Sequence, residues 1–368
     1  MSPPPEGAPN MPGRGTDVLL PTTQVGSYPR PLFMAGKVFS DGTDAPEFAS
    51  FRMRELYRDA VSLVVKDQLD AGLDVVTDGG QHYENETGYE LSELVHYLPM
   101  HFEGYVPYGE RLTLGAIDIP LYKPTVSGPV GWKRPIFKPI LEALKDATTG
   151  PAKINIGVGP VTMALLSTDQ HYGGDIPALA MDLAAAYNAE MKDLATRGLE
   201  QVQLAEPLNM LFAFLEPAPW IADVINRAFD GVPMYRVIHM CYAHQEGQSA
   251  MTDNMFHKVF PWAFDIDADQ FHIEAASHSF AEIADLKSWS SEKDLGFGVI
   301  DVKQTRFEQP EAIASALREL LTVVPAENVC VSTDCSMASF RRNVARKKLA
   351  ALAEGARIVR AEVTGSGV

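Results

Sequence analysis

The chain has 368 residues and a formal net charge of −17, a balance that argues against a nucleic-acid binder and gives no attraction to anionic membranes. Its hydrophobic fraction of 46% is that of a globular chain with a large core, so the length fits either one large α/β barrel or two modest domains. Three cysteines are too few for a disulfide framework and fit a reducing, cytoplasmic setting.

Residues 1–15 are rich in Pro and Gly and lack the apolar run of a secretory signal. A mobile tail is expected over 1–18, a single domain over 19–362 and a second tail over 363–368. No apolar run is long enough to span a membrane. Residues 22–25 read as a short strand entering the turn Gly26-Ser27. Residues 47–71 have helical spacing, with Phe51, Leu56, Ala60, Leu63 and Val64 on one face, and Gly72 stops the helix. Residues 74–78 are a buried-type strand ending in Gly79-Gly80. The stretch 81–124 is irregular and tyrosine-rich (Tyr83, Tyr89, Tyr97, Tyr105, Tyr108). Alternation through Arg111-Leu112-Thr113-Leu114 predicts a hairpin-like insert after the second strand. Those tyrosines fit insert packing or a subunit contact at least as well as a substrate wall, and a homo-oligomer is left open.

Helices follow over 133–147, 176–197, 220–229, 254–262, 280–289, 309–322 and 336–354. Strands fall near 153–157, 201–204, 234–239, 270–274, 296–301 and 329–333. With the first two, eight strands alternate with helices, which predicts a closed parallel (β/α)8 TIM barrel with its chemistry at the C-terminal strand ends.

The fifth strand, Tyr235-Arg236-Val237-Ile238-His239-Met240-Cys241, ends in a His-x-Cys pair. Residues two apart on a strand face the same side, so His239 and Cys241 offer an imidazole nitrogen and a sulfur to one point. Alone, that pair reads more readily as a core cysteine beside a hydrogen-bonded histidine. Two further donors change the balance: Glu274 ends the sixth strand and Cys335 follows the eighth. The resulting His/Cys/Glu/Cys set on one rim suits zinc.

In chain order, Val25-Gly26-Ser27-Tyr28-Pro29-Arg30, Gly159-Pro160-Val161-Thr162, Glu206-Pro207, His239-Met240-Cys241-Tyr242, Ile300-Asp301-Val302 and Asp334-Cys335 resemble the cobalamin-independent methionine synthase family, in a short form carrying only the catalytic barrel. The resemblance covers roughly residues 20–360. It implies that His239, Cys241, Glu274 and Cys335 are zinc ligands. It places the small-molecule thiol on Gly26 and Ser27, with Asp78, Gln81 and Asp301 as further substrate contacts. Lys303 and Glu206 are given catalytic roles. The family moves a methyl group from a small donor onto homocysteine sulfur, and zinc would hold that sulfur as a thiolate.

Four positions depart from the pattern. Gly80 and Ala205 stand where the family carries carboxylates facing the homocysteine ammonium. Lys303 replaces a proton-donating histidine, and Leu166 replaces a tryptophan near the folate. A thiol without an ammonium group, such as coenzyme M attacking an epoxide, fits these changes. A barrel whose zinc is only structural is the reading from a different class.

Blander readings stand beside these. Cys330 suits packing. His244, in a turn, and His272, assigned to the opposite strand face, suit supporting or solvated roles. Arg341-Arg342 and Lys347-Lys348 read as a solvated helix face, or as a site for an anionic substrate tail.

Overall fold

The computed structural model describes residues 14–34, 51–82, 97–106, 111–114, 117–207, 219–242, 256–289 and 292–365. Residues 1–13 of the expected tail, His244 and Tyr83, Tyr89 and Tyr108 lie outside them.

The barrel sheet consists of β1 (Val76–Thr77), β6 (Ala152–Val158), β8 (Gln201–Ala205), β9 (Tyr235–Met240), β10 (Gln270–Ile273), β11 (Asp294–Ile300) and β12 (Val329–Thr333). These run side by side in that order, every neighbouring pair parallel. The extended segment 21–25 closes the ring. Val331 donates to the Pro21 carbonyl at 2.8 Å and Thr23 donates back to Val331 at 2.9 Å, while Asp74 and Val75 both donate to Thr22 at 3.0 Å. The eight expected strand positions are therefore all occupied.

The strands from β8 to β10 and β12 are buried throughout because helices pack outside them and side chains fill the ring. The outer layer comprises α1 (Phe51–Ala71), α2 (Lys138–Ala147), α3 (Pro160–Leu166), α4 (Ile176–Thr196), α5 (Pro219–Phe229), α6 (Phe256–Ala263), α7 (Pro310–Leu320) and α8 (Arg342–Thr364). Gly72 ends α1 with φ of 92°, a conformation that would strain other residues. Asp175 caps α4 by accepting from the Ala178 N–H at 3.0 Å. Among the described residues no helix is long and apolar enough to cross a membrane.

Three expectations are revised. The insert is more than a hairpin: β3 (Arg111–Leu114) pairs with β4 (Ile117–Tyr122), but β2 (Glu103–Val106), β5 (Thr125–Gly131) and β7 (Thr168–Asp169) form a second small sheet. The element expected as a helix over 280–289 is a 3-10 turn, Ala281–Ser288. The last helix begins at Arg342, not 336, and reaches Thr364. Residues 336–341 are held off helical geometry because Ser336 Oγ and the Met337 N–H both donate to the Ser27 carbonyl, at 3.0 and 2.9 Å.

Candidate metal centre

His239 lies one residue before the end of β9, and Cys241 follows the strand. Cys335 follows β12 by two residues. One ring nitrogen of His239 and the sulfurs of Cys241 and Cys335 lie within 4.8 Å of one another. His239 and Cys241 are buried and Cys335 is partly exposed, so the group opens toward the barrel mouth. Hydrogen bonding to Cys241, with burial, pushes the Cys335 thiol well above the ordinary range. Nε2 of His239 is buried without a hydrogen-bond partner among the described residues.

Glu274 stands outside that group of three. Its carboxylate is fully buried, with Oε1 accepting from Ser277 Oγ at 2.7 Å and Oε2 from the Tyr242 N–H at 3.1 Å. Lys303 Nζ lies 3.3 Å from Oε1. Burial opposes charge on Lys303, but Glu274, Cys335, Cys241 and Asp334 outweigh it and hold the ammonium above the ordinary lysine range. The lysine is therefore part of the mouth, not a surface residue.

Asp334, beside Cys335, accepts from the main-chain N–H groups of Ala275, Ala276 and Ser277 at 3.0, 2.9 and 2.7 Å. Burial and the Glu274 charge push its carboxyl up. Gly298 leaves room for it, since a Cβ there would sit 2.2 Å from Asp334 Oδ1.

The other sequence-derived residues are less uniform. Gly26 packs on Asn155, where a Cβ would lie 2.5 Å from Nδ2, and Ser27 Oγ is buried without a partner among the described residues. Asp78 accepts from the Gly80 N–H at 3.0 Å and faces His82 Nδ1 at 3.1 Å. Gln81 donates to the Tyr28 and Gly79 carbonyls at 3.1 and 3.0 Å, and its buried Oε1 has no partner among the described residues. Asp301 accepts from the Lys303 N–H at 2.8 Å and so shapes the turn that presents Lys303. Glu206 caps α3: Oε1 accepts from Val161 N–H at 2.9 Å and Oε2 from Thr162 N–H at 3.0 Å.

Two readings change. His272 is not turned away from the centre: it pairs in register with His239, and the two Nδ1 atoms are 2.7 Å apart. Each basic pair near the last helix gives one member to an internal ion pair. Arg342 donates to Asp67, and Lys348 is fully buried against Glu308 at 2.8 Å. Cys330 is buried at the opposite end, among Lys153, Tyr235 and Gln270.

A closed parallel barrel with an imidazole and two thiols gathered on its C-terminal rim defines a barrel enzyme with a soft-donor centre. Residues 20–357 match the model of the catalytic domain of cobalamin-independent synthases. The chain is 30% identical over 350 residues to a methionine synthase of Saccharolobus solfataricus, covering 95% of this chain and 97% of that one. It is likewise 30% identical over 383 residues to a 2-hydroxypropyl-CoM lyase of Xanthobacter autotrophicus, with 95% and 97% covered. A B12-independent methionine synthase from a Shewanella species, solved in complex with selenomethionine, superposes with a TM-score of 0.79 at 28% identity over 95% of this chain and 100% of that one. The chain belongs to the cobalamin-independent methionine synthase family, a family of methyltransferase type.

Proposed function

We propose that this protein is a zinc-dependent thiol alkyltransferase that joins a small thiol to a methyl or larger alkyl group from a small-molecule donor. The observation that carries the reading is the convergence of one imidazole nitrogen and two sulfurs within 4.8 Å on the barrel rim. A His239 Nε2 buried without a partner among the described residues, and a Cys335 thiol whose proton affinity is raised by its neighbour Cys241, are what a dication would relieve. His239, Cys241 and Cys335 would hold zinc, with Glu274 as the fourth donor once it turns from Lys303. Zinc, when bound, keeps a substrate thiol ionised at neutral pH, where a free thiol with a pKa of about 8.5 is mostly protonated.

This chain's own residues do the rest. The Gly26-Ser27 turn and Asp78, Gln81 and Asp301 form the substrate-facing wall around the mouth. Lys303 keeps its proton beside the thiols, so it neutralises a substrate anion or donates to a developing one. In the reaction the thiol proton would pass to solvent first, and the sulfur–carbon bond would then form as the carbon–donor bond breaks, its electron pair leaving with the donor. The three cysteines, all free thiols, suit the reducing cytoplasm.

Homocysteine is the acceptor the family would supply by default. A second reading is favoured by Lys303 and by Gly80 and Ala205 at the two positions without carboxylates: a thiol lacking an ammonium, such as coenzyme M, opening an epoxide. The Xanthobacter relative gives that reading support. There Lys303 would protonate the alkoxide as the ring carbon–oxygen bond breaks.

The test is product mass spectrometry on a matrix of thiols and alkyl donors, run with metal analysis. About one zinc per chain is expected, lost together with activity in Cys241→Ser and Cys335→Ser. Full activity in metal-free protein would sink the proposal. Conversion of coenzyme M but not homocysteine selects the second reading, and the reverse selects the first.

A further inference from the structure

We infer that His272 is a positioning residue for the metal centre: its Nδ1 accepts the Nδ1–H of His239, which leaves the Nε2 lone pair of His239 free to ligate. The inference rests on the zinc reading above and goes beyond the ligands themselves.

The two Nδ1 atoms are 2.7 Å apart, the ring centroids 4.8 Å apart, and both rings are 1% exposed. At that distance one nitrogen carries a proton and the other a lone pair. If His272 donated, His239 would carry its proton on Nε2 and could not ligate through it. If His239 donates, Nε2 is left with its lone pair. Nε2 of each ring is buried without a hydrogen-bond partner among the described residues, so ligation by His239 through Nε2 is what selects the arrangement in which His239 donates.

The site for this ring is built into the sheet. His272 is in register with His239 on one side and with Gly296 on the other. A Cβ at Gly296 would lie 2.7 Å from His272 Cδ2 and 2.9 Å from its Cβ. That glycine on β11 leaves space for the imidazole on β10 to meet the one on β9. A neutral imidazole also suits the surroundings better than a carboxylate. Glu274 and Asp334 are already buried nearby, and a third buried anion would add a desolvation cost with no cation assigned to it.

The experiment is zinc affinity of the full chain, measured by competition with a chromophoric chelator, for wild type, His272→Leu and His272→Asn. Leucine fills the space but cannot accept, and affinity is expected to fall about 10–100-fold. Asparagine places Oδ1 where Nδ1 was and is expected to stay within about threefold of wild type. Packing alone predicts the reverse order, because asparagine leaves more empty space. Leucine binding as tightly as wild type, or more tightly than asparagine, overturns the inference. Wild type that takes up no zinc overturns the zinc reading and this inference with it. Nitrogen-15 histidine spectra of zinc-loaded wild type give a check free of any folding defect. A proton on His239 Nδ1 and on His272 Nε2 is expected, and a proton on His239 Nε2 refutes the arrangement.

Discussion

Glu206 carries a carboxyl that burial raises to about 7, against the donors of Val161 and Thr162 that favour its charge. Between the unfolded value of about 4.3 and the folded one, the native state holds a proton that the unfolded chain has lost. Stability from this group is therefore greatest below about pH 4 and falls as pH rises toward 7, then stays level. Glu206→Gln lacks that slope. Urea denaturation at pH 5 and pH 8 should show wild type losing up to about 3 kcal/mol relative to the variant. Parallel changes in the two proteins would mean that the carboxyl titrates normally. Lys303 is tested differently, because its partner Glu274 keeps contacts to Ser277 and Tyr242 without it. Lys303→Met is expected to retain zinc and lose about 100-fold or more in kcat. Metal loss at unchanged kcat per bound zinc would assign the lysine to structure instead.

The turn after β11 shows how an element is held and why part of it escaped the sequence. Lys348 on α8 donates to the Asp301 and Arg306 carbonyls at 3.0 and 2.7 Å and pairs with Glu308. Glu308 Oε1 in turn accepts from the Asp301 N–H at 3.2 Å. Lys348→Met would leave a carboxylate without its cation and two carbonyls without a donor, a loss of about 3 kcal/mol in urea denaturation. Lys347→Ala, on the exposed side of the same helix, should cost only about 0.5 kcal/mol. Equal effects would refute the anchor. Two adjacent lysines on an amphipathic helix read as solvated, because periodicity does not identify a partner 40 residues earlier. The strand carrying His239 and Cys241 was legible, since a β-branched run ending in donors keeps its meaning locally. The side of the sheet on which His272 lies was not, because its relation to His239 depends on register between strands. The start of α8 was missed for a like reason: Ser336 answers to a carbonyl 309 residues away.

At the scale of the whole molecule, the ring has one seam, between the first and last units. Asp74 Oδ2 accepts from the Thr22 N–H and Oγ1 at 2.9 and 2.8 Å and from Arg360 at 2.8 Å. Arg360 also donates to the Leu19 and Leu20 carbonyls. Asp74→Ala should therefore cost about 2–3 kcal/mol, as three buried or half-buried donors lose their acceptor together. A fully stable variant would show that barrel closure needs only the main-chain bonds. Zinc bound as proposed would act on the same ring from the mouth, tying the end of β9 to the end of β12. Binding only the folded state, it should stabilise by about 4 kcal/mol at a thousandfold over its dissociation constant. A thermal melt with and without chelator measures this, and Cys335→Ser should abolish the difference.

The clasp between Asp334 and the three amides after Glu274 makes a single chassis of the ledges that bear Cys335 and Glu274. Were a substrate sulfur to join a metal held there as proposed, the backbone on either side would be pinned and could not retreat. Whatever yields must pivot about its own side-chain bonds. Glu274 already rests 3.3 Å from the Lys303 ammonium, so its move on or off a bound metal would be a swing of one arm on a fixed frame.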